Sequence, residues 1–386
     1  MMSGVVMLVN EFSPISGGSE KQAERLATFM AAQGKPVWVI TRRFSGLLAE
    51  EKRDGFTVLR PPSFGPGKLK TLTFIFGAIW HLWRLRREYK VIHAHMLFGA
   101  AFAAVLARRF LQKRVLVKLG SSGPAGEIEV SRRTLRGKVR LALLRRWADR
   151  IIVLDEIIQA EAISVGILPE KIKLISNGID ATLFYTATKN KELETTFKGK
   201  TIVLFVGRLV KEKSIPTLLN AFEKALKNSP NLHLILVGKG PDQSMLESLA
   251  KELKIQHQIT FAGNQDDVRP YLALADIFVL PSNTEGMSNA LLEGMAAGIP
   301  CLATPVGASP SVLDHGKCGL LLPVGDVDIW AQTLSELDHD PERRASLGQA
   351  ARRRIMSEYD FSIIGTRYQS LYAELVNFDV NATRRG

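Results

Sequence analysis

Over most of its 386 residues the chain alternates short runs of branched aliphatic residues with longer segments of helical spacing. In the first half the runs are VVMLV (5–9), VWVIT (37–41), FTVLR (56–60), KVIHA (90–94), RVLVKL (114–119), RIIVL (150–154) and KIKLI (171–175). They are continuously apolar, as strands covered on both faces are, so the alternation predicts a parallel sheet with helices on both sides. The pattern lapses over the polar stretch DATLFYTATKNKELETTFKGK (180–200) and restarts with TIVLFVG (201–207). LHLILVG (232–238), QITFAG (258–263), DIFVLP (276–281), IPCLA (299–303) and CGLLLP (318–323) follow. The expectation is an α/β chain of two Rossmann-like, doubly wound domains, 1–176 and 177–360. A last helix, FSIIGTRYQSLYAEL (361–375), carries Ile364, Tyr368, Leu371 and Leu375 on one side.

Several classes of function fall away early. Only Cys301 and Cys318 occur, so no disulfide framework is expected and a reducing compartment is favoured. The start, MMSGVVMLVNEF, lacks the basic region of a signal peptide, and TLTFIFGAIWHLWRL (71–85), interrupted by His81 and Arg84, fits an interior or interfacial helix better than a span. A cytoplasmic protein is expected. The net charge of +13 is unevenly shared: residues 1–176 hold 29 Lys+Arg against 14 Asp+Glu, and residues 177–386 hold 22 against 24. The basic runs have no interleaved aromatics and no zinc, RRM or KH pattern, which argues against nucleic acid and makes an anionic membrane surface at least as good a partner.

Ligands of doubly wound sheets bind beyond the carboxyl ends of the strands, and four loops lie there. Gly17 and Gly18 follow the first strand and precede a helix, which suits an anion or a plain turn. In GRLVKEKS (207–214), Gly207 precedes Arg208, and Lys213 comes five residues later, before a helix; two cations there suit a diphosphate whose charge grows as its bond breaks. VGKGPD (237–242) places Gly238 and Gly240 after a strand, for close packing on a nucleotide or for a simple turn.

The fourth loop, TEGMSNALLEGMAAGIP (284–300), puts two acids, Glu285 and Glu293, in an otherwise apolar segment. Ser288 reads as the N-cap of a helix that stops at Gly298, so Glu285 precedes the helix and Glu293 lies inside it. Between them the backbone N–H groups of Gly286, Met287, Ser288 and Asn289 form a helix start, favourable for phosphate. Carboxylates accept paired hydrogen bonds from vicinal hydroxyls, so acids flanking a phosphate cradle fit a nucleoside diphosphate-sugar.

With these motifs in this order the chain resembles the retaining GT-B glycosyltransferases of family four. GGSE (17–20), IHAH (92–95), SNGID (176–180), GRLVKEK (207–213) and EGMSNALLE (285–293) carry the likeness. It implies two domains facing each other across a cleft, with the first binding acceptor, the second binding donor, and the last helix, 361–386, crossing back. Glu285 would bind hydroxyls of the donor sugar, Glu293 the ribose, and Arg208 with Lys213 the diphosphate; His95 would lie near the reacting sugar. From the residues alone, His95 ends a buried strand and is equally a core histidine, as is His93. The family pattern after the following strand is altered here to GASPS (307–311), with Ala308 and Ser311.

The function expected is sugar transfer with retention from a UDP- or GDP-sugar, without cofactor or metal, to a glycan, lipid or lipid-linked acceptor in cell-surface polysaccharide or glycolipid synthesis. An NDP-sugar epimerase of the same fold and a non-catalytic polyanion binder are the alternatives. One more segment bears on the acceptor. SRRTLRGKVRLALLRRWADR (131–150) reads as a helix with an apolar stripe of Leu135, Val139, Ala142 and Leu143 beside Arg132, Arg133, Arg136 and Arg140, a surface for the anionic inner face of the membrane.

Overall fold

The computed structural model describes residues 4–14, 17–123, 126–188 and 190–383. The chain divides into two units, one of residues up to 177 together with those from 362, the other of residues 178–361. In the first, β1 (Gly4–Leu8), β2 (Val37–Ile40), β3 (Glu50–Arg53), β4 (Phe56–Leu59), β5 (Tyr89–His95), β6 (Arg114–Lys118), β7 (Arg150–Val153) and β8 (Ile172–Leu174) form one sheet. Its order is β3-β4-β2-β1-β5-β6-β7-β8, and only the β3–β4 pair is antiparallel. The seven apolar runs each supply a strand. β3, EEKR, has no such signal, because an edge strand exposes one side and tolerates charge. Asp54 and Gly55, both at positive φ, make the tight turn that joins it to β4.

The helices that follow the strands of this unit along the chain are α1 (Gly18–Ala32), α2 (Lys68–Arg84), α3 (Gly99–Leu111), α4 (Glu127–Arg132), α5 (Leu135–Trp147) and α6 (Glu156–Ser164). The segment 131–150 is therefore not one helix. Thr134 caps α5, its hydroxyl accepting from the Gly137 N–H at 3.0 Å, and Gly137 packs so close to the preceding turn that a Cβ there would lie 2.0 Å from the Ser131 carbonyl oxygen. Two residues of the stripe, Leu135 and Val139, do face outward. Leu135 is 80% and Val139 50% exposed, while Leu141, Leu144 and Ala148 are buried.

The second unit has the sheet order β11-β10-β9-β12-β13-β14, all parallel, from β9 (Thr201–Val206), β10 (Leu232–Val237), β11 (Ile259–Gly263), β12 (Ile277–Leu280), β13 (Cys301–Ala303) and β14 (Leu320–Leu321). Its helices are α7 (Ala181–Tyr185), α8 (Lys191–Thr196), α9 (Ile215–Leu226), α10 (Gln243–Glu252), α11 (Arg269–Leu274), α12 (Asn289–Ala296), α13 (Ser309–Val312), α14 (Val327–His339) and α15 (Pro341–Arg354). Cys301 and Cys318 are buried thiols here. The two strands of chain that leave this unit run side by side: the Ile179 N–H donates to the Tyr359 carbonyl at 2.9 Å and the Phe361 N–H to the Ile179 carbonyl at 2.8 Å. From there α16 (Phe361–Thr383) joins the first unit, burying Ile364, Tyr368, Leu371 and Leu375.

Candidate active site

Both sheets reverse their winding order at one place, between β1 and β5 in the first and between β9 and β12 in the second. Loops diverging from the carboxyl ends of such a strand pair leave a crevice. In the second unit those loops carry Arg208–Lys213 and Glu285. Lys213 reaches Glu285 in an ion pair, although 72 positions separate them, and the Ser282 hydroxyl donates to the same carboxylate oxygen at 2.9 Å. The two side chains are only 18% and 11% exposed. Their loops are also tied through the backbone, the Asn283 N–H donating to the Glu212 carbonyl at 2.8 Å, while the Thr304 hydroxyl holds the Ser282 carbonyl at 2.6 Å. Arg208 stands exposed on the same loop, next to Gly207, whose Cα lies beside the stem of Lys213.

Ser288 caps α12, its hydroxyl accepting from the Leu291 N–H at 3.3 Å, so the helix begins at Asn289. Gly294 lets α12 press against β12, since a Cβ there would lie 2.8 Å from the Phe278 ring. That contact holds the neighbouring Glu293 in the interior, 5% exposed. Met287 is buried, and the Gly286 carbonyl accepts from the Ala308 N–H at 2.9 Å. Ala308 thus serves the altered GASPS loop through its backbone. Gly307, at φ +55°, packs where a Cβ would meet the Glu285 carbonyl oxygen at 2.4 Å.

The glycines of VGKGPD have a different occupation. A Cβ on Gly238, whose φ is +136°, would fall 1.9 Å from the Gly207 carbonyl oxygen, and one on Gly240 would fall 2.0 Å from that of Leu209. These two glycines let the β10 loop lie directly on the Arg208 loop. They support the cation-bearing loop from beneath, a plain packing reason for their presence.

At the switch point of the first unit, Gly17 precedes α1 and Gly18 begins it; Ile15 and Ser16 lie outside the described residues. Gly17 has extended backbone geometry that any residue adopts, and Glu20 lies against it, its pKa raised by burial. His95 ends β5 and is buried, its ring stacked on His93 at 4.1 Å between centroids. Among the described residues neither ring nitrogen of His95 has a hydrogen-bond partner, whereas Nδ1 of His93 lies 2.7 Å from the Tyr372 hydroxyl on α16. Burial, and then the Lys118 charge, hold the His95 pKa well below the usual value, so the ring is neutral at pH 7.

Residue types alone did not single out the groups around this histidine. Lys118, at the end of β6, is buried with its ammonium 2.9 Å from the Asn177 side-chain oxygen, and burial lowers its pKa to about 7 against the opposing pull of Glu127. Glu127 is itself buried and accepts from the Leu97 N–H at 2.6 Å and the Gly120 N–H at 2.5 Å. Burial raises its pKa, while those hydrogen bonds and Arg140 oppose the shift. The available signal was a lysine inside the apolar run RVLVKL. Arg140 turns inward, donating to the Ser131 hydroxyl at 2.7 Å and lying over the Phe98 ring. Arg132 and Arg133 both face Glu129, at 3.7 and 3.5 Å, and Arg136 is exposed.

Residues 187–354 match the family described as Glycosyl transferases group 1, and residues 16–183 match Glycosyltransferase Family 4. The chain belongs to glycosyltransferase family four. This glycosyltransferase is 27% identical over 298 residues, 77% of each chain, to N-acetyl-alpha-D-glucosaminyl L-malate synthase of Bacillus anthracis. It is 25% identical over 400 residues, 98% of each chain, to the GDP-mannose-dependent alpha-(1-6)-phosphatidylinositol monomannoside mannosyltransferase of Mycobacterium tuberculosis. HepE of Anabaena, solved in complex with UDP, superposes with a TM-score of 0.77 at 19% identity over 96% of this chain and 100% of that one, which shows the GT-B fold.

Proposed function

We propose that this glycosyltransferase moves a sugar from a UDP- or GDP-sugar to a glycan, lipid or lipid-linked acceptor with retained configuration and without a metal ion. The observation that carries the reading is the Lys213–Glu285 pair beside Arg208 at the switch point of the second sheet. Glu285 accepts from hydroxyls of the donor sugar, and Glu293, on α12, from those of the ribose. Arg208, Lys213 and the start of α12 offset the charge that grows on the leaving diphosphate. The bond from the anomeric carbon to the phosphate oxygen breaks, the acceptor oxygen bonds to that carbon on the same face, and the acceptor proton passes to the departing phosphate oxygen. Neutral His95 offers a hydrogen bond to the reacting sugar without placing charge beside it. The synthesis served is that of a cell-surface polysaccharide or glycolipid, on the inner face of an anionic membrane.

Thermal-shift screening of UDP- and GDP-sugars is the first test, because a donor at a hundred times its dissociation constant adds about 2.7 kcal/mol of stability. The donor that stabilises the protein is then incubated with candidate acceptors in EDTA. Transfer that survives EDTA and yields the retained anomer supports the reading. Strict dependence on a divalent ion overturns the metal-free part, and release of epimerised free sugar identifies an epimerase. Loss of all nucleotide-sugar binding at high salt, unaffected by Glu293→Ala, identifies a polyanion binder.

A further inference from the structure

Helix α2 is apolar on two opposite faces. One side, Phe74, Ala78, Leu82 and their neighbours, is buried in the first unit. On the other side Leu69, Leu72, Phe76, Trp80 and Trp83 are between 49% and 70% exposed. Steps of three and four residues place these five within an arc of roughly 80° on the helix surface. Exposed apolar side chains scattered singly need no explanation, whereas an aligned stripe of this length does. The surface continues across the neighbouring helices. An apolar cavity of about 410 Å³ lies between α2, α3 and α5, lined by Ile75, Phe98, Phe102, Leu135, Val139 and the stem of Arg140, among others.

Charge tells what covers this face. Helix α2 contains three Lys or Arg, α3 two and α5 five, and none of the three contains an Asp or Glu. Arg84 faces Glu50 at 3.7 Å and Arg108 pairs with Asp149 at 2.6 Å, but the surplus over the three helices stays cationic and suits an anionic partner. The two tryptophans have guanidinium groups over their rings, Arg84 at 5.3 Å from Trp80 and Arg86 at 4.4 Å from Trp83. Tryptophan and arginine placed together at the edge of an apolar stripe fit the boundary between hydrocarbon and headgroups, where the ring is half immersed and the cation meets phosphate. Among the described residues no helix is long and apolar enough to cross a membrane, and α2 lies along the surface of its unit with only one side outward.

We propose that the outward face of α2, with the adjoining exposed start of α5, inserts into an anionic lipid leaflet. This rests on the reading of an anionic leaflet as partner and moves the contact from the arginines of 131–140 to the apolar stripe of α2. Of those arginines Arg136 remains a headgroup contact, while Arg140 is held inward by Ser131 and Phe98.

Flotation with vesicles tests it. The full chain is expected to float with phosphatidylglycerol–phosphatidylethanolamine vesicles and to remain behind with phosphatidylcholine alone. Phe76→Asn with Trp80→Gln is expected to lower the partition into anionic vesicles tenfold or more. Brominated lipid should quench tryptophan fluorescence in the wild type, and that quenching should be lost in Trp80→Phe/Trp83→Phe. Equal flotation of the stripe variant, or no flotation of the wild type, overturns the proposal. So does a dimer that Phe76→Asn dissociates while flotation stays unchanged, since the stripe would then join two copies. Stabilisation of the variant by a nucleotide-sugar shows that it is folded, and separates failure of this proposal from failure of the donor assignment.

Discussion

Replacing Lys213 by Ala removes one of the two cations assigned to the leaving diphosphate. Deleting a transition-state contact of this kind typically raises the barrier by about 2.7–4 kcal/mol, or lowers kcat by about 10²–10³. The structure adds a second quantity. Because the two side chains are largely buried, the attraction between Lys213 and Glu285 is only partly screened by water. A unit-charge pair about 4 Å apart gains about 4 kcal/mol at an effective dielectric near 20. In Lys213→Ala, Glu285 loses that attraction and retains the Ser282 hydroxyl; in Glu285→Gln, Lys213 is released from its acid. The two changes therefore affect one interaction, and a coupling of about 1–3 kcal/mol is expected between them. Steady-state rates for both single variants and Lys213→Ala/Glu285→Gln, with kcat and kcat/KM determined separately, measure it. The double variant should be impaired less than the product of the single effects. Unchanged kcat with a raised KM in Lys213→Ala would assign the lysine to ground-state binding and refute the transition-state role. Single effects that multiply in the double variant would show that the ion pair has no part in turnover.

Gly238→Ala should lower stability by at least about 2 kcal/mol, read as a fall in Tm, because the new methyl collides with the Gly207 carbonyl at a φ that alanine rarely adopts; an unchanged Tm would mean that the β10 loop does not rest on the Arg208 loop. Lys118→Met tests the buried cation of the first unit. The folded-state pKa of Lys118 is lowered to about 7, so between pH 7 and 9 the unfolded chain binds the extra proton and wild-type stability gains up to about 1.4 kcal/mol per pH unit from this group. The variant should lack that gain and be the more stable protein near pH 6–7; parallel stability curves for the two proteins would rule out the depressed pKa.

The parts of this molecule that were legible beforehand are those where one solvent acts on a segment. Val5–Leu8, Val203–Phe205 and Ile277–Leu280 are covered from both sides, and continuous apolarity marks them as parallel strands without reference to anything distant. The two-glutamate segment was legible for a related reason: Ser288 and Gly298 bound a short helix locally, which leaves Glu285 outside it and Glu293 within. What sequence could not supply was the pairing of Lys213 with Glu285, because that depends on β9 and β12 being neighbours at the switch point. Gly238 and Gly240 show the same dependence, for their reason lies in the backbone of another loop.

Helical periodicity has a sharper limit, seen in α5 and α2. Periodicity finds a stripe such as Leu135–Val139 but not the medium it faces: these two side chains are exposed, and α5 buries Leu141 and Leu144. In α2 apolar side chains face both ways, since Phe74 and Leu82 are inside while Phe76 and Trp80 are outside. An ordinary surface helix gives its outer face to charged residues of both signs; α2 gives its outer face to large apolar side chains and has no acid anywhere along its length. A helix with that composition is matched to two apolar media, the sheet of its own unit on one side and hydrocarbon on the other, with arginines at the edge where headgroups begin. Hydrophobic patterning therefore identified α2 as helical and interior or interfacial, and only the position of the sheet distinguishes which face belongs to which medium.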